Sequence, residues 1–208
     1  MKNFSILLFS LLTLNLSASD IEKSFINIPD ALFPILDKQQ RMEALEYYKA
    51  GSDSIENRFG KQSKVLIFDN VTKHLKIQSS QSSTFEMMIF QPDTTKSPIT
   101  GIIRTICAPI CQSSIMFLDS TWNLIPNTFE IPKANKWIDA EALKQQEDTT
   151  ILQNLSYINF ASCSFDANKQ EIVVQNHSID FLSEEEKEKA ASFTKKEAII
   201  YPLKDLFK

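Results

Sequence analysis

Residues 71–126 read VTKHLKIQSSQSSTFEMMIFQPDTTKSPITGIIRTICAPICQSSIMFLDSTWNLIP, and this stretch decides the fold. Phe85, Met87 and Ile89 fall on one side of an extended chain, and Glu86, Met88 and Phe90 on the other. Leu75 and Ile77 alternate with His74, Lys76 and Gln78, and Ile115 and Phe117 alternate with Met116 and Leu118. A period of two, rich in β-branched and aromatic residues and bounded by Ser, Pro, Asp and Asn, marks β-strands. Four are predicted: VTKHLKIQSS, TFEMMIFQP, ITGIIRTIC and SSIMFLDSTW. The connections SSQSS and DTTKSP are short and polar, as antiparallel hairpins require. One side of the first strand is polar and is predicted to face water. The second and fourth strands are apolar on both sides, which predicts covered positions.

Towards the N-terminus, Asp37 with Gln40 forms a capping-box pattern opening a helix over Lys38–Ala50, with Met42, Leu45 and either Tyr48 or Lys49 on one side, read as its inner side, and Gly51 ending it. Ile21 to Ile28 reads as a short helix or an extended lead-in, stopped by Pro29. A turn of helix is expected over Ser54–Phe59, and a strand start at Val65–Phe68. Residues 1–19 have the form of a signal peptide: Lys2, an apolar run from Phe4 to Leu16, then small Ser17, Ala18 and Ser19. That run is too short and too interrupted for a good membrane span. The expectation is export to the periplasm or beyond, with no integral membrane segment after removal of the leader.

Towards the C-terminus the pattern resumes. Asp139 is placed to cap a helix over Ala140–Gln146. Leu155–Asp166 and Glu171–Ser178 read as strands around the turn at 166–169. Ser183 with Glu186 opens a charged helix, and Ala198–Leu203 is a last strand. The fold class that follows is α+β, a largely antiparallel sheet with helices packed on one face. Residues 20–208 are read as one domain, with 20–126 and 127–208 as candidate halves that each place helix before strands.

Composition narrows the function. The chain of 208 residues carries 22 basic against 26 acidic side chains. No basic stripe is interleaved with aromatics, so nucleic acid is a poor partner. Only Gly51, Gly60 and Gly101 occur. Phosphate-cradling loops and nucleophile elbows need glycine where backbone meets ligand, and no such motif is present. No catalytic, cofactor or metal-ligand motif is assigned. Cys107 and Cys111 flank a three-residue hairpin loop, at a spacing that suits a disulfide across an antiparallel pair. A bridge from either to Cys163, or three free thiols, remains open. His74 and His177 are the two histidines; a Ser–His or Cys–His pair would have to use one of them. The acidic run Glu184–Glu188 suits a helix N-terminus and solvent. Trp122 and Trp137 are candidates for contact with a partner or a glycan, against a core role.

The chain resembles the domain of unknown function 3256 family of exported Bacteroidales proteins. The resemblance rests on IPDALFPIL followed by RMEAL, on LKIQSSQSSTFEMMIF, and on IIRTICAP followed by FLDSTWNLIP with Phe117, Asp119, Trp122 and Pro126. It implies export and an α+β domain, and it supplies no catalytic residues. It also gives meaning to four Asp-(Ser/Thr) triplets that match the O-glycosylation pattern of exported proteins in that order, with acceptors Ser54, Thr94, Ser120 and Thr149. Three function classes stand at this point. The first is a non-enzymatic interaction module for another envelope protein. The second is an envelope hydrolase without a recognisable motif, and the third a binder of a small ligand or glycan.

Overall fold

A computed structural model describes residues 20–93, 96–144, 151, 152, 155 and 158–207. Helices α1 (Asp20–Asn27) and α2 (Lys38–Lys49) come first. Strands β1 (Ser54–Glu56), β2 (Gln62–Asp69), β3 (His74–Ser80), β4 (Ser83–Phe90), β5 (Ile99–Cys107) and β6 (Cys111–Leu118) then form a six-stranded antiparallel meander in sequence order. A short helix α3 (Ala140–Leu143) precedes β7 (Ala161–Asp166) and β8 (Glu171–Asn176). Helix α4 (Glu184–Ala191) and β9 (Ile199–Pro202) follow, and β7, β8 and β9 make a second, three-stranded antiparallel sheet. The α+β class with antiparallel sheets is therefore observed. Residues 1–19, read from the sequence as a signal peptide, lie outside the described residues.

The large sheet separates two cores. Phe85, Met87, Ile89 and Ile102 pack against Ile21, Phe25, Phe33 and Leu45 of the helical layer. Met88, Phe90, Ile103 and Phe117 pack against Cys163, Phe165, Ile172 and Val174 of the small sheet. The alternation along TFEMMIF assigns each side chain to its core, since successive side chains leave opposite faces. A third cluster gathers Ile151, Leu155, Leu182 and Phe193 beside α4.

Both capping boxes form: Asp37 accepts from Gln40 N, and Ser183 from Glu186 N. Helix α2 buries Arg41, Ala44 and Leu45, whereas Met42, expected inside, is exposed. Arg41 is drawn inward because Asp30 and the Ile28 carbonyl receive its guanidinium at 2.9 and 2.7 Å.

Three further expectations are corrected. Ser54–Glu56 is a strand, not a helical turn: Ile55 is buried and pairs with Ser63, and three residues gain more from a neighbouring edge than from a costly helix nucleus. The long strand expected over Leu155–Asp166 is only Ala161–Asp166, with Ile151, Leu152 and Leu155 helical and set in the third core. The polar side of β3 does not face water. His74 is 6% exposed, because the small sheet lies over that face.

The two halves differ in size and role. The second contributes three strands laid across the six of the first, with β7 passing over β6, β5 and β4.

Candidate functional site

Cys107 and Cys111 are disulfide-bonded across their hairpin, with Ala108–Pro109 cis in the loop. Cys163 is free and buried. Burial, and then the nearby Glu86 carboxylate, push its thiol up to about 12, so it is a core side chain without nucleophilic character. Trp137 is 1% exposed and donates from Nε1 to the Glu197 carbonyl, which removes it as a surface contact. Trp122 is half-buried at φ +67°, packed against the helical-layer core. Ser120 is exposed in a turn braced by Asp119, which accepts from the Thr121 and Asn123 backbone. Ser54 donates to Asp53 at 2.8 Å. Thr94 and Thr149 lie outside the described residues. Glu184, Glu185 and Glu186 occupy the first turn of α4, where Glu184 and Glu185 pair with Lys187 and Lys189. Among the described residues no three His, Cys, Asp or Glu side chains group as a metal site, and no helix is long and apolar enough to cross a membrane.

His74 belongs to a buried polar clamp. Its Nε2 lies 2.8 Å from Glu86 Oε1, Lys76 Nζ lies 2.9 Å from Oε2, and the Phe165 backbone N–H donates to Oε1 at 2.9 Å. Glu86 is 2% exposed. Burial pushes its carboxyl up, but the His74 hydrogen bond, the Lys76 charge and the Phe165 N–H outweigh it, and the group sits below its ordinary range. Close by, Ser113 Oγ accepts from the Cys163 N–H at 2.8 Å. Glu86 and Ser113 thus satisfy two backbone donors on the edge of β7 that β8 does not reach. The cluster joins the two sheets, with both His74 and Glu86 buried.

An open feature lies at the far end of β5. An apolar cavity of about 210 Å³ is walled by Phe33, Ile35 and Phe85, with Arg104 and Ile106 at its rim. A second, of about 480 Å³, continues past Arg104 and Ile106 to Gln112, Ser114 and Phe160. Together they form a groove running from the 32–35 loop to the edge of the large sheet. That edge is β6. Among the described residues no backbone group outside β5 bonds to the backbone of Cys111–Met116, while the backbones of Phe117 and Asp119 are occupied by Ile125 and Asn123. Arg104 donates to the Leu32 carbonyl and has no carboxylate partner among the described residues. Burial alone lowers its pKa. Buried charges are ordinarily paired, as Arg41 is with Asp30.

His177 stands elsewhere, after β8. Its Nε2 lies 2.8 Å from Ser162 Oγ and its Nδ1 3.1 Å from Asp180 Oδ2. Neither Ser162, Asp180, Glu86 nor Arg104 was marked by a motif. The one available signal was Glu86, a charge inside an otherwise apolar strand, with Lys76 directly opposite in register.

The family model described as "Protein of unknown function (DUF3256)" matches residues 13–206. No curated protein matches the chain. A solved structure, that of a domain of an uncharacterized protein from Porphyromonas gingivalis W83, is similar at a TM-score of 0.75 and 20% sequence identity, covering 91% of this chain and 98% of that one. At that identity the likeness concerns the fold.

Proposed function

The chain belongs to the DUF3256 family, proteins of unknown function, and from that premise we propose that it is an exported binding module which docks an extended, acidic segment of another envelope protein along β6. The observation that carries this reading is Arg104, half-buried in an apolar groove without a carboxylate, beside a strand edge with free backbone groups. An exposed edge takes an added strand through main-chain hydrogen bonds, and pockets beside it select side chains. Here the added strand would run beside Gln112 and Ser114, seat an apolar side chain in the cavity against Leu32, Ile35 and Ile106, and bring a carboxylate to Arg104. The apolar cavity favours a side chain over a free ligand: about 210 Å³ is below the roughly 300–1,000 Å³ of small-molecule pockets. Its lining holds no acid or histidine to act as a base. The leader-like residues 1–19 support export to the periplasm.

The test is a photo-crosslinking residue at Gln112, exposed at the groove, in cells that make the native protein. One discrete adduct at Gln112, absent from a probe at Lys189 and lost with Arg104→Glu, is expected. Adducts shared by both positions, or an adduct indifferent to Arg104→Glu, would overturn the reading.

A further inference from the structure

Ser162, His177 and Asp180 are assembled by three local devices. Ser162 sits in β7 on the side opposite the buried Ala161, Cys163 and Phe165. His177 follows β8, and its backbone N–H is pinned to the Phe160 carbonyl at 2.7 Å. One turn of 3-10 helix, Ser178–Phe181, then returns Asp180 to the histidine. Beneath them Ser178 is fully buried, its Oγ accepting from the Phe160 N–H at 3.1 Å, so the His177 corner is fixed to the start of β7.

The order of contacts matters. Asp180 reaches Nδ1, so it favours the tautomer that carries the proton there and leaves Nε2 as the acceptor. Ser162 Oγ lies at that acceptor, 2.8 Å away. A hydroxyl, a base and an orienting carboxylate in this order are the elements of serine nucleophilic catalysis, which is recognised by geometry and not by chain order. Gln175 is directly opposite Ser162 in register, so its side chain leaves the same face within about 5 Å and offers an amide donor there. Phe160 and Phe181 stack at 5.6 Å beside the site, with Phe181 59% exposed, forming an apolar platform.

We propose that Ser162 is an activated nucleophile for acyl transfer from small esters bearing an apolar or aromatic group, with His177 as general base and Asp180 as positioning residue. Ser162 Oγ attacks the ester carbonyl carbon while its proton passes to His177 Nε2. The tetrahedral oxyanion is met by the Gln175 amide. Collapse breaks the carbon–oxygen bond to the alcohol, which leaves with the proton from Nε2. Water then attacks the acyl-Ser162 ester, with Nε2 taking its proton and returning it to Ser162 as the carboxylic acid departs. This centre lies on the small sheet and does not depend on the β6 groove.

The probe is an alkyl fluorophosphonate on the full chain, read by intact mass and peptide mapping, with p-nitrophenyl acetate hydrolysis alongside. Ser162 is expected to be the labelled residue in the folded protein and unlabelled after urea unfolding. Label and hydrolysis should vanish in Ser162→Ala and His177→Gln and fall at least a hundredfold in Asp180→Asn. Ser164→Ala, a serine on the same face, should match the wild type. Should a variant fail to fold, the wild-type comparison of folded and unfolded labelling still decides. No label, label at another residue, or label undiminished in folded His177→Gln would overturn the proposal.

Discussion

Replacing Glu86 tests how the two sheets are joined. In Glu86→Ala the His74 ring, the Lys76 ammonium and the Phe165 N–H all lose their acceptor in a site 2% exposed to solvent. Breaking one side of a buried ion pair costs about 3–5 kcal/mol. At roughly 2–4 °C per kcal/mol for a chain of this size, the midpoint should fall by about 10 °C. Glu86→Gln is milder. Its amide oxygen still accepts from Phe165, but the charge is lost and the amide NH2 replaces the acceptor that faced Lys76, at about 1.5–3 kcal/mol for a hydrogen bond to a charged group.

The pH dependence is the sharper assay. Glu86 has a folded-state pKa held below its ordinary range. Its contribution is therefore fully present above the unfolded pKa, about 4.3, and is lost as pH falls through the folded value. Urea unfolding of wild type and Glu86→Gln at pH 7 and pH 3 should show a gap at neutral pH that narrows in acid. Asp119, Asp139 and Asp166 also have lowered pKa values, but they are common to both proteins and cancel in the difference. A gap that is constant from pH 7 to pH 3 would refute the claim that the carboxylate charge clamps the sheets.

Gly101→Ala should lower stability by about 1–3 kcal/mol in thermal unfolding, because its Cβ would meet Phe165 Cζ at 2.7 Å in the packed interface between the sheets. Asp37→Ala should cost about 1 kcal/mol in the same assay through loss of the α2 capping box. In unreduced protein a maleimide should find no thiol in the folded state and one, Cys163, after unfolding in urea; three thiols would contradict the Cys107–Cys111 bond. Intact mass of protein taken from its native cells should exceed the bare chain if the exposed Ser120, beside Asp119, is glycosylated, and mapping would place the addition.

What the sequence showed depended on periodicity. Strands β3 to β6 were legible because apolar residues recur every second position and hairpin turns punctuate them. The helices α2 and α4 were legible from Asp37–Gln40 and Ser183–Glu186, where two side chains three positions apart each accept from the other residue's backbone N–H. Strand β1 was not, since three residues carry too little pattern to separate a strand from a turn. The polar side of β3 misled for a different reason. His74 and Lys76 look like residues facing water, and only the distant Phe165 and Glu86 reveal that a second sheet covers them. Arg104 and the Ser162–His177–Asp180 chain were hidden for the same reason: their meaning lies in contacts between residues far apart in the chain, or in the absence of one.

Both candidate surfaces depend on where β7 is set. Sheets that stack through apolar faces alone can slide, because dispersion and burial are non-directional. Here Glu86 and Ser113 each take one backbone N–H of β7, at Phe165 and Cys163, two residues apart on the same edge. Two directional bonds on one strand fix both its position along β4–β6 and its angle across them. The strand entering β7 then brings Phe160 to the open end of the groove, and Ser162, two residues on, lies against His177. Because Phe160 also holds the His177 corner through its own N–H and carbonyl, the groove wall and the serine site share one rigid corner. A buried carboxylate that costs free energy to desolvate is retained, on this argument, because it fixes the register between two sheets that carry separate surfaces.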